Sequence, residues 1–242
     1  MTIKLFLSLL LISSTVCSLN AETFTSGNKQ TSLLELYSSQ GCSSCPPAER
    51  WISSLLDNNG LWSEFIPVVY HVDYWNYLGW RDPFSNPVFS QRQRTYHKQN
   101  AISSVYTPGF VLNGEEWRLW FLQKSVPSGS QQAKILKASF DGNILSASYD
   151  LNTPLILNAA ILGFNIETSV NAGENQGRKF SENFIVLNQT TIQSDSGEWK
   201  FKINVPKPAK AERYALAIWV HSPNSLKPLQ ATGGWINPLN SQ

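Results

Sequence analysis

Apolar residues are patterned in two ways along this chain: longer blocks with helical spacing come first, then short, evenly separated runs from about Leu136 onward. Ser32-Leu-Leu-Glu-Leu-Tyr37 is a short apolar strand with one carboxylate, Glu35, inside it. A turn, Ser38-Ser-Gln-Gly41, follows. Ala48, Trp51, Ile52, Leu55 and Leu56 then repeat at i, i+3, i+4, i+7 and i+8, which predicts a helix with one buried face. Glu49, Arg50 and Asp57 fall between them and are assigned to its solvated face. Pro46 and Pro47 fit the first turn, where N–H groups have no intrahelical acceptor, and Asn59-Gly60 supplies the stop. Residues 65–73 form a nearly unbroken apolar run, suited to a strand buried on both faces of a parallel sheet. A second helix is predicted from Pro87 to about Asn100, with Asn86 as its N-cap and with Arg92, Arg94, His97 and Lys98 facing solvent. Beyond it, two apolar runs flank Asn113-Gly114, a pair that favours a tight hairpin.

The second half reads differently. Ala138-Ser-Phe140, Ile144-Leu-Ser-Ala-Ser-Tyr149 and the apolar stretches at 159–166, 184–187, 199–205 and 214–221 are strand-like, and Asp141-Gly142-Asn143 and Ser196-Gly197 punctuate them. Regular short strands predict an antiparallel β-sandwich. The join at 123–135 contains Pro127-Ser-Gly129 and leaves room for a short helix at most. Residues 173–178, Gly-Glu-Asn-Gln-Gly-Arg, read as a polar turn of unassigned role.

Composition changes this picture mainly at the N-terminus. Lys4, the apolar run at 5–12 and the small polar residues ending at Ala21 have the form of a secretory signal peptide, too short to span a bilayer. Cleavage after Ser18 or after Ala21 removes Cys17 either way, and no later segment has the apolar length of a membrane helix. Nineteen Lys and Arg against seventeen Asp and Glu give no basic field for nucleic acid. The exported chain then keeps two cysteines, Cys42 and Cys45, and no methionine. A disulfide across so short a loop removes little unfolded-state entropy, and two cysteines do not fill a structural zinc shell. Redox chemistry is the remaining reading.

Strand, CxxC, helix and strand, with Thr107-Pro108 and a hairpin further on, resemble the thioredoxin superfamily. More closely, Ser39-Gln-Gly-Cys-Ser-Ser-Cys-Pro-Pro-Ala48, His71-Val-Asp-Tyr-Trp-Asn-Tyr-Leu-Gly-Trp-Arg-Asp-Pro-Phe84, Gln91-Arg-Gln-Arg94, Val105-Tyr-Thr-Pro108 and Gly173-Glu-Asn-Gln-Gly-Arg178 resemble the bacterial secreted family DUF1223, over nearly all of the exported chain. The resemblance implies a thioredoxin-like fold, an α/β domain at 22–135 with a central mixed sheet and flanking helices, and the strand pattern adds a β-sandwich-like domain at 136–242. It also implies a periplasmic or secreted location.

Within that resemblance, Cys42 is the attacking thiolate at a helix N-terminus and Cys45 resolves the mixed disulfide. Thr107 and Pro108 face the pair across a groove, with the peptide bond between them cis. Glu35 is a candidate proton carrier to Cys45, although it stands seven residues before Cys42 where relatives have six; the other reading is a salt-bridged strand residue. Residues 71–84 either cover the site with aromatic rings or pack the sheet edge, and His71 is expected to be a hydrogen-bonded structural residue. The leading expectation is a thiol–disulfide oxidoreductase acting on protein thiols and disulfides, with no cofactor and no metal. Two alternatives stay open: a copper-binding or copper-delivery protein using the Cys pair and His71, and a non-catalytic binding module with its disulfide permanently closed.

Overall fold

The computed structural model describes residues 21–206 and 211–237. The segment expected to be removed on export lies outside these residues, apart from Ala21. In chain order, β1 (Glu22–Thr25) and β2 (Ser32–Ser38) lead to α1 (Pro46–Ser53), β3 (Phe65–His71) and α2 (Pro87–Lys98). Then come β4 (Gly109–Leu112), β5 (Glu115–Glu116), β6 (Leu136–Phe140), β7 (Ile144–Tyr149), β8 (Leu155–Phe164) and β9 (Ile166–Ser169). The chain continues through β10 (Lys179–Glu182), β11 (Ile185–Ser194), β12 (Glu198–Lys202), β13 (Arg213–His221) and β14 (Pro228–Ile236). The protein is mostly β, with one large mixed sheet and few helices.

That sheet has eight strands in the order β14-β13-β8-β11-β3-β2-β4-β5. β2 and β3 are parallel, in a register pairing Ser32 with Phe65 and Ser38 with His71. β11 meets β3 in parallel at Ile185 and Val69 and runs antiparallel to β8. The sheet therefore passes across residue 135, and strands from the second half extend the edge left by the first. A four-stranded antiparallel sheet, β1-β6-β7-β12, lies over its far half, and β9 and β10 form a separate two-stranded ribbon.

The apolar runs explain why one sheet serves two layers. In β8, Ala160, Leu162 and Phe164 join the core around the helices, while Leu157, Ala159 and Ile161 join the core under the four-stranded sheet. β13 alternates in the same way, with Ala215, Ala217 and Trp219 on one side and Leu216, Ile218 and Val220 on the other. A strand buried on both faces favours apolar residues throughout, and both sequences come close: β8 is interrupted only by the buried Asn158, and β13 is apolar between its terminal Arg213 and His221 apart from the Tyr214 hydroxyl.

The first-half elements fall close to their predicted places. α1 carries proline in its first turn but gives way at Ser54–Asp57 to a 3-10 turn, so Leu55 and Leu56 lie beyond the α-helix proper. Asn86 caps α2, its side chain accepting from the Val88 N–H at 3.0 Å. Asn113 (φ 51°) and Gly114 (φ 83°) both occupy the left-handed region, as a two-residue hairpin turn requires. After the hairpin only a 3-10 turn, Trp120–Leu122, precedes β6. Among the described residues, no helix is long and apolar enough to cross a membrane.

Candidate functional site

Cys42 and Cys45 are joined in a disulfide with Cα atoms 5.5 Å apart. The pair lies at the carboxyl ends of the parallel strands β2 and β3, the edge where open α/β sheets carry their sites. Cys45 is the N-cap of α1, and its carbonyl accepts from the Ala48 and Glu49 N–H groups. Cys42 sits one turn earlier, its N–H donating to the Ser39 carbonyl. Cys45 is wholly buried and Cys42 is 3% exposed, so Cys42 offers what access there is.

Three segments hold the Cys42 loop. Trp75 packs on Gly41 so closely that a Cβ there would lie 3.2 Å from the Trp75 Cβ, and its indole N–H donates to the Thr107 hydroxyl at 2.7 Å. One ring thus connects the disulfide loop with the Thr107–Pro108 segment, whose peptide bond is cis. From the other side comes the 173–178 turn. The Asn175 side-chain amide donates to the Gln40 and Cys42 carbonyls, both at 2.9 Å, and the Glu174 carboxylate accepts from the Ser43 N–H. Gly173 (φ 74°) allows this approach, since a Cβ would meet the Leu78 carbonyl oxygen at 3.0 Å. Trp80 completes the clamp by donating to the Gln40 side chain at 3.0 Å. The aromatic stretch at 74–80 does cover the loop, although Tyr77 itself projects into solvent.

Glu35 is buried on the α2 face of the sheet, apart from this clamp. Arg92 grips its carboxylate with two bonds, of 2.7 and 3.0 Å, and the Tyr37 and Tyr96 hydroxyls each donate to it at 2.7 Å. Neither cysteine is among its hydrogen-bond partners. Burial, reinforced by the Glu35 charge, raises both phenols well above the ordinary tyrosine range and keeps them as donors. Arg92, expected on the solvated face of α2, is instead drawn inward, its guanidinium lying 5.4 to 5.7 Å from the ring centres of Tyr70, Tyr96 and Trp219.

The opposite face of the same strands holds a second polar group. His71, at the end of β3, is fully buried, and its Nδ1 is 2.7 Å from Asp82 Oδ2. Asp82 also accepts from the Gln40 and Phe84 N–H groups. The Gln40 side-chain amide reaches back to Glu182 Oε2 at 2.6 Å, so the disulfide loop and the cluster are hydrogen-bonded together. Glu49 completes the group. It was expected on the solvated face of α1, but β10 and the 173–182 segment cover that side of the helix, leaving it 4% exposed. His71 Nε2 lies 3.6 Å from Glu182 Oε1 and 3.9 Å from Glu49 Oε1, too far in each case for a hydrogen bond.

The electrostatics follow from this crowding. Burial pulls the His71 pKa down, but the bonded Asp82, with Glu182 and Glu49 around it, raises it to about 10. Burial pushes Glu182 up to about 8, and it raises Glu49 as well, in both cases against the pull of His71. Asp82 stays below the usual carboxylate range despite burial, because His71 and two backbone N–H groups favour its charge. With His71 surrounded by hard carboxylate oxygens, its environment does not favour a soft Cu(I) ion.

A family model described as a protein of unknown function, DUF1223, matches residues 33–221. The chain belongs to this family. The DUF1223 chain is similar in structure to protein AGR_C_4864 from Agrobacterium tumefaciens, with a TM-score of 0.60 and 22% identity, covering 90% of this chain and 98% of that one. It is also similar to HBP35 of Porphyromonas gingivalis, with a TM-score of 0.55 and 14% identity, covering 86% and 76% of the two chains. Both are likenesses of fold. No curated protein matches the sequence. In this DUF1223 chain Gln40, Asp82 and Asn175 stand within the motifs that carry the family resemblance, but without a role, while Glu49 and Glu182 give no signal in the sequence. Only the topology brings the five together beside the disulfide loop.

Proposed function

We propose that this protein is an exported thiol–disulfide oxidoreductase, thioredoxin-like in its first half, which exchanges disulfides with protein partners through Cys42 and Cys45. The observation that carries the reading is the closed Cys42–Cys45 disulfide at the carboxyl edge of β2 and β3, immediately before α1. A bond spanning two residues contributes little to stability, so its placement at a reaction edge favours chemistry over stapling. The cis Thr107–Pro108 segment, connected to the loop through Trp75, supplies a backbone surface beside the sulfurs for a partner chain.

In the reducing direction, the Cys42 thiolate attacks one sulfur of the partner's disulfide. A Cys42–partner bond forms, the partner's S–S bond breaks, and its second sulfur leaves as a thiolate. The Cys45 thiolate then attacks Cys42 Sγ and closes the internal disulfide. The partner's first sulfur is released, so the partner gains two electrons and this protein loses two. The reverse sequence oxidises a partner dithiol. Cys42 is the attacking residue because Cys45 has no access to solvent. Glu35, saturated by Arg92 and two tyrosines, anchors α2 to the sheet rather than carrying protons in this scheme.

Cys45→Ser removes the resolving thiol, so it should trap Cys42-linked mixed disulfides with exported proteins on non-reducing gels. Cys42→Ser/Cys45→Ser should trap none. Equal capture by the two variants would contradict the proposal.

A further inference from the structure

We propose that Glu49, His71 and Glu182 form a binding site for a single divalent transition-metal ion of the zinc class, directly beneath the disulfide loop. These three residues are the only group of at least three His, Cys, Asp or Glu side chains placed to share an ion among the described residues, with one ligand atom from each lying within 4.8 Å of the others. All three side chains are more than nine-tenths buried. His71 Nε2 and Glu182 Oε1 have no hydrogen-bond partner, and the Glu49 carboxylate has none within hydrogen-bond geometry, although the buried Ser38 hydroxyl is near enough to favour its charge. Buried polar atoms that face one another without a partner are unfavourable unless something between them compensates.

The separations leave room for an ion between the three side chains. The 3.6 and 3.9 Å separations exceed a hydrogen bond. They approach the spacing of roughly 3.3 Å between ligands that each stand about 2.0–2.1 Å from a four-coordinate ion. Closing around an ion would draw each carboxylate a few tenths of an ångström nearer His71 Nε2 and would also bring the two glutamates, whose ligand atoms lie within 4.8 Å of each other, closer together. The donor set of one imidazole nitrogen and two carboxylates suits Zn²⁺ and its first-row neighbours, and a three-residue shell leaves a fourth position for water. The surroundings are also those of a ligating histidine. Nδ1 is bonded to Asp82, which fixes the ring and turns Nε2 toward the two glutamates, where an ion would take the place of the Nε2 proton. Asp82 and Glu182 are themselves held by Gln40. A cleft of about 520 Å³ lined by Pro46, Glu49, Arg50, Arg178 and Lys179 opens beside Glu49.

The site stands independently of thiol exchange, and its test keeps the disulfide closed so that no thiolate competes. Untagged oxidised protein, stripped with chelator, would be dialysed against Zn²⁺ and its metal content measured. One equivalent per chain is expected, with a melting temperature several degrees higher and an X-ray absorption edge showing nitrogen and oxygen neighbours only. Glu182→Gln and Glu49→Gln, nearly isosteric, should each weaken binding by at least about tenfold. Failure of folded, oxidised protein to take up Zn²⁺ would overturn the proposal, as would undiminished binding in both variants or sulfur in the first shell. If a variant fails to fold, the absorption spectrum of the unaltered protein decides by itself.

Discussion

Two buried acidic centres lie on opposite faces of β2 and β3, and they solve the same problem differently. On the α2 face, Glu35 has a bidentate arginine and two phenols within 3.0 Å, so its charge is balanced and both oxygens are bonded. On the α1 face, Glu49 and Glu182 share one histidine at separations too long for hydrogen bonds. Burying a carboxylate is costly in either place, and the second is compensated less fully, by the Gln40 bond to Glu182 Oε2 and the nearby His71. A saturated pair of this kind is architecture. An under-partnered cluster, joined through Gln40 to the disulfide loop, has room for something else.

The largest effect should come from breaking the saturated centre. Arg92→Ala leaves Glu35 buried and unpaired, and a loss of about 3–5 kcal/mol is expected in urea denaturation. Replacing both partners at once, Glu35→Leu with Arg92→Met, should recover most of it. No recovery would mean that the pair does more than neutralise itself. On the other face, saturating Zn²⁺ at about a hundred times its dissociation constant should stabilise the unaltered protein by about 2.7 kcal/mol, and Glu182→Gln should abolish the gain. Equal stabilisation of the two would erase the distinction between the faces. Asn175→Ala removes two hydrogen bonds from the loop, costing about 1–3 kcal/mol of local stability. It should also accelerate reduction of the disulfide by dithiothreitol. An unchanged rate would show that the 173–178 turn does not shield Cys42.

The smallest effect is a pH dependence that contrasts two buried histidines. Burial lowers the His221 pKa below its ordinary 6.5, with the nearby Arg92 cation acting in the same direction. The folded protein therefore refuses a proton that the unfolded chain accepts. The resulting stability is fully present above pH 6.5 and declines as pH falls toward the lower folded value. His221→Gln should flatten this part of the stability curve, and an unaltered slope would place the titration elsewhere.

Much of the first half was legible because its signals are local. The i, i+3, i+4 spacing of α1, the Asn86 cap, the Asn113-Gly114 turn and the CxxC spacing each depend on a few neighbouring residues. The strands of the second half were legible as strands. Their sheet order was not, because the pairing of Ile185 with Val69 leaves no trace in either segment alone. Glu49 and Arg92 were both misread as solvated for the same reason. A charged residue between apolar ones normally faces water, and only the segments packing over α1 and α2 reverse that. Glu182 stands more than a hundred residues from Glu49 and His71, so no spacing could have joined them. His71 is expected from sequence to be hydrogen-bonded, and it is, but the carboxylates around it come from three separate parts of the fold.

Redox activity of the Cys42–Cys45 pair stands or falls on its equilibrium reduction potential in glutathione buffers. A value between roughly −120 and −270 mV, the span of thiol oxidoreductases, is expected. A value below about −300 mV, characteristic of structural disulfides, would contradict it and leave a closed, non-catalytic module.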